Sequence, residues 1–134
     1  MGHCFVSFLI NLTLILQLAC AQLTQVGDHI ISGVPNNLMP LRAHCQSKDD
    51  DLGMHMLNNG QSFNRRFTIN FWGTTLFFCH FYWGSHNTSF DVFNATIADR
   101  NWDFPRYDCY WVARPDGFYL SKDNKSWEIF NDWT

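Results

Sequence analysis

FNRRFTINF, residues 63–71, is the stretch on which the fold turns: Phe63, Arg65, Phe67, Ile69 and Phe71 share one parity and Asn64, Arg66, Thr68 and Asn70 the other. A period of two places one set on each side of a pleated strand, whereas a helix would scatter both sets around its axis. Arg65 is the exception on the apolar side. Just downstream, LFFCHFYW (76–83) is apolar on both parities except at His80, which predicts a central strand covered on both faces. Upstream, LMPLRAHC (38–45) sets Leu41, Ala43 and Cys45 on one face against Arg42 and His44 on the other.

The same texture extends in both directions. HIISGV (29–34) precedes a turn at Pro35-Asn36-Asn37, and Met54–Leu57 runs into Asn58-Asn59-Gly60, where glycine accepts positive φ without steric cost. FDVF occupies 90–93, CYWVAR and FYLS flank Pro115-Asp116-Gly117, and WEIF follows a polar turn at 122–125. Residues 22–28 read as a frayed polar end and 97–107 as a long loop. About seven or eight short strands, with no amphipathic helix longer than two turns, predict an all-β antiparallel sandwich or barrel.

The chain has 134 residues, 46% hydrophobic and 17% aromatic, with 9 Lys+Arg against 12 Asp+Glu and a formal charge of -3. That length suits one domain. The charge balance, without a basic run, excludes sequence-independent phosphate binding, so no nucleic-acid partner is expected. Aromatic density with few charges argues against disorder. Residues 5–18, FVSFLINLTLILQL, carry no charge and lead to Ala19-Cys20-Ala21. This run is short for a membrane span and fits a secretory signal peptide over 1–21, leaving 22–134 as a soluble secreted domain without membrane insertion.

Of the five cysteines, Cys4 and Cys20 fall in that leader, leaving Cys45, Cys79 and Cys109. In an oxidising compartment an odd count means one disulfide with a leftover thiol, or pairing to another chain. Asn87-Thr88-Ser89, Asn94-Ala95-Thr96 and Asn124-Lys125-Ser126 are N-glycosylation sequons; a fourth, at Asn11, lies in the leader.

No motif for a serine hydrolase, zincin, P-loop or dinucleotide fold occurs, and the histidines at 29, 44, 55, 80 and 86 lack metal-ligand spacing, so neither catalysis nor a cofactor is expected. Asp49-Asp50-Asp51 reads as a solvated acidic loop in preference to a calcium site, because a calcium loop alternates its ligands. Trp72, Tyr82, Trp83, Trp102, Trp127 and Trp133 could in part form a sugar platform, against the commoner use of such side chains as core.

VPNNLMPLRAHCQSKDDDLGMHML, NGQSFNRRFTINFWGTTLFFCHFYW, FDVF and CYWVARPDGFYL together resemble, in order and spacing, the plant self-incompatibility S-protein homologue family over residues 29–130. HCQSKDDDLG and NFWGTTLFFC are the most specific blocks. The resemblance implies a small secreted β-sandwich of immunoglobulin-like character, stabilised by disulfides, without catalysis, whose members act as extracellular ligands. The family commonly carries four cysteines, and Tyr107 stands where the third is usual, before the Cys-x-Trp formed by Cys109 and Trp111. The loss of a partner explains the odd count. The expected surviving bridge is Cys45–Cys109 with Cys79 unpaired, a pairing that strand parity does not decide.

The resulting expectation is a monomeric, non-catalytic extracellular ligand for a cell-surface receptor, acting in pollen rejection or related signalling. Its contact surface is sought in the loops 48–52, 58–61, 84–89 and 97–107, with Asp49, Asp50, Asp51 and Asn59 as candidate contacts. The alternative is a carbohydrate-binding module of the cell wall.

Overall fold

The computed structural model describes residues 25–35, 39–68, 75–98 and 106–134, with the side chains of 98, 106 and 107 outside that description. The proposed leader over 1–21, the turn at Asn36-Asn37, residues 69–71, Trp72, Trp102 and most of the expected loop at 97–107 therefore lie outside it, as does the side chain of Tyr107.

Nine strands form among the described residues, against the seven or eight expected: β1 (Gln25–Ser32), β2 (Leu41–Ser47), β3 (Asp51–Leu57), β4 (Ser62–Thr68), β5 (Phe77–Trp83), β6 (His86–Phe93), β7 (Arg106–Arg114), β8 (Gly117–Ser121) and β9 (Glu128–Asn131). A one-turn helix, α1 (Ala95–Ala98), follows β6. The strands make two sheets, β4-β1-β7-β8-β9 and β3-β2-β5-β6, so the expected all-β sandwich is what forms. All pairings are antiparallel except β1 with β7, which run parallel.

The alternation read from sequence sets the inner faces. Leu41, Ala43 and Cys45 are buried on β2 while Arg42 is exposed, and Phe63 and Phe67 of β4 pack against the core. Trp111 of β7 is buried, meets Phe130 edge-on at 4.8 Å and donates its indole N–H to the Val92 carbonyl at 3.0 Å. This satisfies the polar edge of a side chain whose value to the core is its large apolar area. Trp133 lies against Phe118 at 4.6 Å and donates to the Arg114 carbonyl at 2.8 Å, strapping the C-terminus over one end of the sandwich.

The expected loop at 84–89 shrinks to a turn at 84–85, because β6 begins at His86, and three further expectations need correction. First, residues 25–28 are not frayed: β1 starts at Gln25 and sits between β4 and β7, with Val26 and Asp28 buried. Neighbours on both sides satisfy its backbone, which is why a polar-looking segment is ordered. Second, β5 is central in its sheet but, among the described residues, covered on one face only. Phe77, Cys79 and Phe81 are buried, whereas Phe78, His80 and Tyr82 line a half-exposed outer face.

Third, the disulfide is Cys45–Cys79, and Cys109 is the free, buried thiol. Cys45 and Cys79 are register partners on the adjacent strands β2 and β5, with Cα atoms 4.0 Å apart. Cys109 is on β7, in the other sheet, opposite Asp28. Packed sheets lie about 10 Å apart, beyond the usual Cα separation of roughly 4.4–6.8 Å for a bridge. Burial, followed by the nearby Asp28 and Asp108 charges, pushes the Cys109 thiol far above its ordinary range. It is therefore an inert small hydrophobe rather than a reactive thiol.

Candidate recognition surface

Chain direction assigns the loops to two opposite ends. Gln25 pairs with Thr68 and with Arg106, and Thr68 shares a cleft with Asp49 and Asp50. The 48–50 loop, the start of β5, the end of β6 and the 122–126 turn therefore gather at one end, the acidic end. The 58–61 turn, the 84–85 turn, the 115–116 turn and the C-terminus gather at the other. The expected contacts are thus divided: Asp49, Asp50 and Asp51 belong to the acidic end and Asn59 to the opposite one, separated by the length of β3, roughly 20 Å for seven residues.

At the acidic end the loop is built by local bonds. Ser47 N–H donates to the Asp50 carbonyl at 2.7 Å and Asp50 N–H donates to Ser47 Oγ at 3.1 Å, closing a tight turn. Asp51 Oδ1 accepts from Gly53 N–H at 2.9 Å and from His44 Nε2 at 2.7 Å. The Gly53 amide and then His44 hold the Asp51 carboxyl below its ordinary value. Gly53 has φ of 83°, open to glycine at little strain. Asp50 lies 3.9 Å from Arg65 Nη2. Asp49 is exposed and projects from the loop beside Lys48. A cleft of about 650 Å³ opens next to it, lined by Lys48, Asp49, Asp50, Phe67, Leu76 and Phe78 among others. Among the described residues no group of three or more His, Cys, Asp or Glu is placed to hold a metal ion.

Asn59 is exposed, yet its side chain ties the opposite end together by donating to the Val34 carbonyl at 2.8 Å. The described aromatic candidates Tyr82, Trp83 and Trp133 do not share one platform. Tyr82 lies on the outer face of the four-stranded sheet, stacked on His80 at 4.4 Å, whereas Trp83 and Trp133 meet at 6.1 Å at the end opposite the acidic loop.

Sequence reasoning missed the densest polar cluster, on the outer face of the five-stranded sheet. His29 stacks on Tyr110 at 4.5 Å, with Nδ1 2.7 Å from Asn64 Oδ1 and Nε2 2.9 Å from Asp108 Oδ1, and Arg66 donates to the same oxygen at 3.1 Å. Burial works against the Asp108 charge, but the bonds from His29 and Arg66 outweigh it and hold the carboxyl below its ordinary value. The signal was hidden because these side chains come from three strands that only the parallel β1–β7 pairing aligns. The cluster needs Gly27, register partner of both Arg66 and Asp108. A Cβ there would fall on Asp108 Oδ1 and come within 2.7 Å of Arg66 Nη2. Gly27→Ala is expected to cost about 1–2 kcal/mol in denaturant unfolding, and less when Asp108→Ala is already present, because the two changes share the same contact.

Fold and surface together define a small disulfide-stapled β-sandwich with an acidic loop end. The chain belongs to the plant self-incompatibility protein S1 family, whose model matches residues 29–133. It is 44% identical over 78 residues to S-protein homolog 5 of Arabidopsis thaliana, covering 58% of each chain. It is 42% identical to S-protein homolog 20 of Arabidopsis thaliana over 69% of this chain and 66% of that one, and 33% identical to S-protein homolog 24 over 96% and 91%. The match thus spans less than two thirds of the length of the first two relatives and nearly all of the third. A solved self-incompatibility protein homologue, from a family of small, highly stable, secreted plant proteins, superposes with a TM-score of 0.63 at 19% identity, covering 82% of this chain and 95% of that one. At that identity the likeness concerns the fold alone.

Proposed function

We propose that this protein is a secreted, non-catalytic extracellular ligand recognised by a cell-surface receptor through its acidic end. Membership of the self-incompatibility family and the secreted character of its solved homologue support this reading. The observation that carries it furthest is the arrangement at that end. A loop fixed by four short hydrogen bonds presents exposed Asp49 and Asp50 beside an open cleft, on a scaffold whose sheet is stapled by Cys45–Cys79. Loops on rigid scaffolds are where recognition is commonly placed, because the ordering entropy is already met. A basic receptor patch complements the exposed Asp49–Asp50 tip itself, since Lys48, Arg65, Lys122 and Lys125 at the same end balance the charge of Asp49, Asp50, Asp51 and Asp123. Whether the response is pollen rejection or another form of signalling follows from the tissue that displays the receptor.

The test is binding of labelled protein to intact plant cells. Saturable binding lost on protease treatment of the cells is expected, as is at least about a tenfold loss with Asp49→Lys plus Asp50→Lys at unchanged melting temperature. Undiminished binding of that variant removes the acidic end from the interface. Binding to isolated cell-wall polysaccharide on a glycan array, with no protein receptor present, would favour the carbohydrate-binding reading instead.

A further inference from the structure

Two of the three sequons of the domain, at Asn87 and Asn94, are chemically unequal. Asn94 is half-buried and both ends of its amide are in use: Oδ1 accepts from Ile97 N–H at 2.9 Å, capping α1, and Nδ2 donates to Asp91 Oδ2 at 3.0 Å. The nitrogen that would carry the sugar is therefore turned inward onto a neighbour. Asn87 has the opposite arrangement. It is exposed near the start of β6, an edge strand, and His80 Nε2 lies 3.2 Å from its Oδ1. Holding the oxygen leaves Nδ2 facing away from that contact, and a glycosylated amide keeps this bond, since only the nitrogen is substituted.

The surface around Asn87 is the part of the fold that sequence reading expected to be covered. Register across the four-stranded sheet sets Met56, Arg42, Tyr82 and Asn87 in one row and Met54, His44, His80 and Ser89 in the next. Tyr82 is the immediate cross-strand neighbour of Asn87. Its ring is parallel to that of His80, with 2° between the planes, and the Arg42 guanidinium lies 4.8 Å from its centroid. This stack is half-exposed and, among the described residues, no other element packs over it.

We propose that Asn87 carries an N-linked glycan, its amide oriented for substitution by the His80 contact to its oxygen, and that Asn94 serves as a helix cap and stays unmodified. Attachment substitutes one N–H hydrogen of the Asn87 amide with the anomeric carbon of a lipid-linked oligosaccharide donor, whose pyrophosphate leaves with the proton. The inference shares with the proposed function the premise that the chain enters the secretory route.

The test expresses the full chain in plant cells and maps glycopeptides of protein recovered from the medium, after enzymatic release in heavy-oxygen water. Conversion of Asn87 to labelled aspartate with Asn94 unchanged is expected. Ser89→Ala, which abolishes the sequon but keeps the His80 bond, should remove one glycan mass, and Thr96→Ala should remove none. An unmodified Asn87 or a glycosylated Asn94 in secreted protein overturns the site assignment. Protein retained in the cytosol without sugar overturns both this inference and the secreted reading.

Discussion

Cys45→Ala with Cys79→Ala should lower stability by about 4 kcal/mol and the melting temperature by roughly 15–20 °C. The bridge closes a loop with a sequence separation of 34, and the magnitude comes from the freedom it removes from the unfolded chain. It joins two strands that already pair, so little in the folded state has to change when it is cut. Cys109→Ala gives the contrast. That thiol is fully buried, and its removal costs only the packing of a small side chain, about 1–2 kcal/mol. Paired guanidinium titrations of the two variants decide the matter. A large loss on Cys109→Ala and a small one on Cys79→Ala would restore the Cys45–Cys109 pairing. In the folded protein, a thiol-alkylating reagent should leave Cys109 unmodified until denaturant is added.

Asp28→Val should raise stability at pH 7 by about 2–3 kcal/mol, with the gain narrowing as the pH falls to 4. Asp28 lies on the inner face of β1, 5% exposed, and neither carboxylate oxygen has a hydrogen-bond partner. The indole N–H of Trp111, which would favour the charged form, donates to Val92 instead. Arg65 is the register partner of Asp28, yet its side chain is half in solvent, on the side of Asp50. The cavity that Asp28 helps line is about 10 Å³, at the lower limit for a single water. Burial therefore pushes the carboxyl well above its ordinary value of 3.8.

The folded chain holds that proton more tightly than the unfolded chain does. The stabilisation is complete below the unfolded value and is lost as pH rises toward the folded one. Asp108 and Asp51, both held below their ordinary values, act in the reverse direction, their contributions disappearing in acid. The wild-type profile alone therefore mixes opposite slopes, and the informative quantity is the variant-minus-wild-type difference at several pH values. A difference that stays constant with pH, or a variant less stable at pH 7, would contradict the assignment.

The residues that announced the fold did so through parity, and parity reports which face a side chain occupies. It placed Leu41, Ala43 and Cys45 inward, and turn chemistry placed Gly60, at φ of 85°, and Gly117 in their bends. Parity does not report which sheet a strand joins. Cys45, Cys79 and Cys109 all point inward, so only topology could choose between the pairs. The same gap hid β1, where Gln25 and Asp28 masked a strand ordered by its neighbours, and it hid the His29–Asp108 cluster. β5 misled in another way: an apolar run on both parities described the chemistry of its outer face, over which no other element packs among the described residues. Of the candidate contacts, the acidic loop was legible as an exposed charge run. The bracing role of Asn59 depends on Val34, which sequence spacing does not bring near.

The parallel pairing of β1 with β7 also dictates an order of assembly. The antiparallel β2–β5 pair and its disulfide can close once residue 83 is available, but β1 has no parallel neighbour until residues 106–114 exist. Contacts of such large sequence separation form late. Until they do, Cys109 is not buried, and its thiolate is free to exchange with the Cys45–Cys79 bridge already formed. The last zipping of the first strand is then also the event that retires the odd cysteine from that competition. A chain slow to dock β1 is one that accumulates the wrong crosslink rather than one that merely folds late.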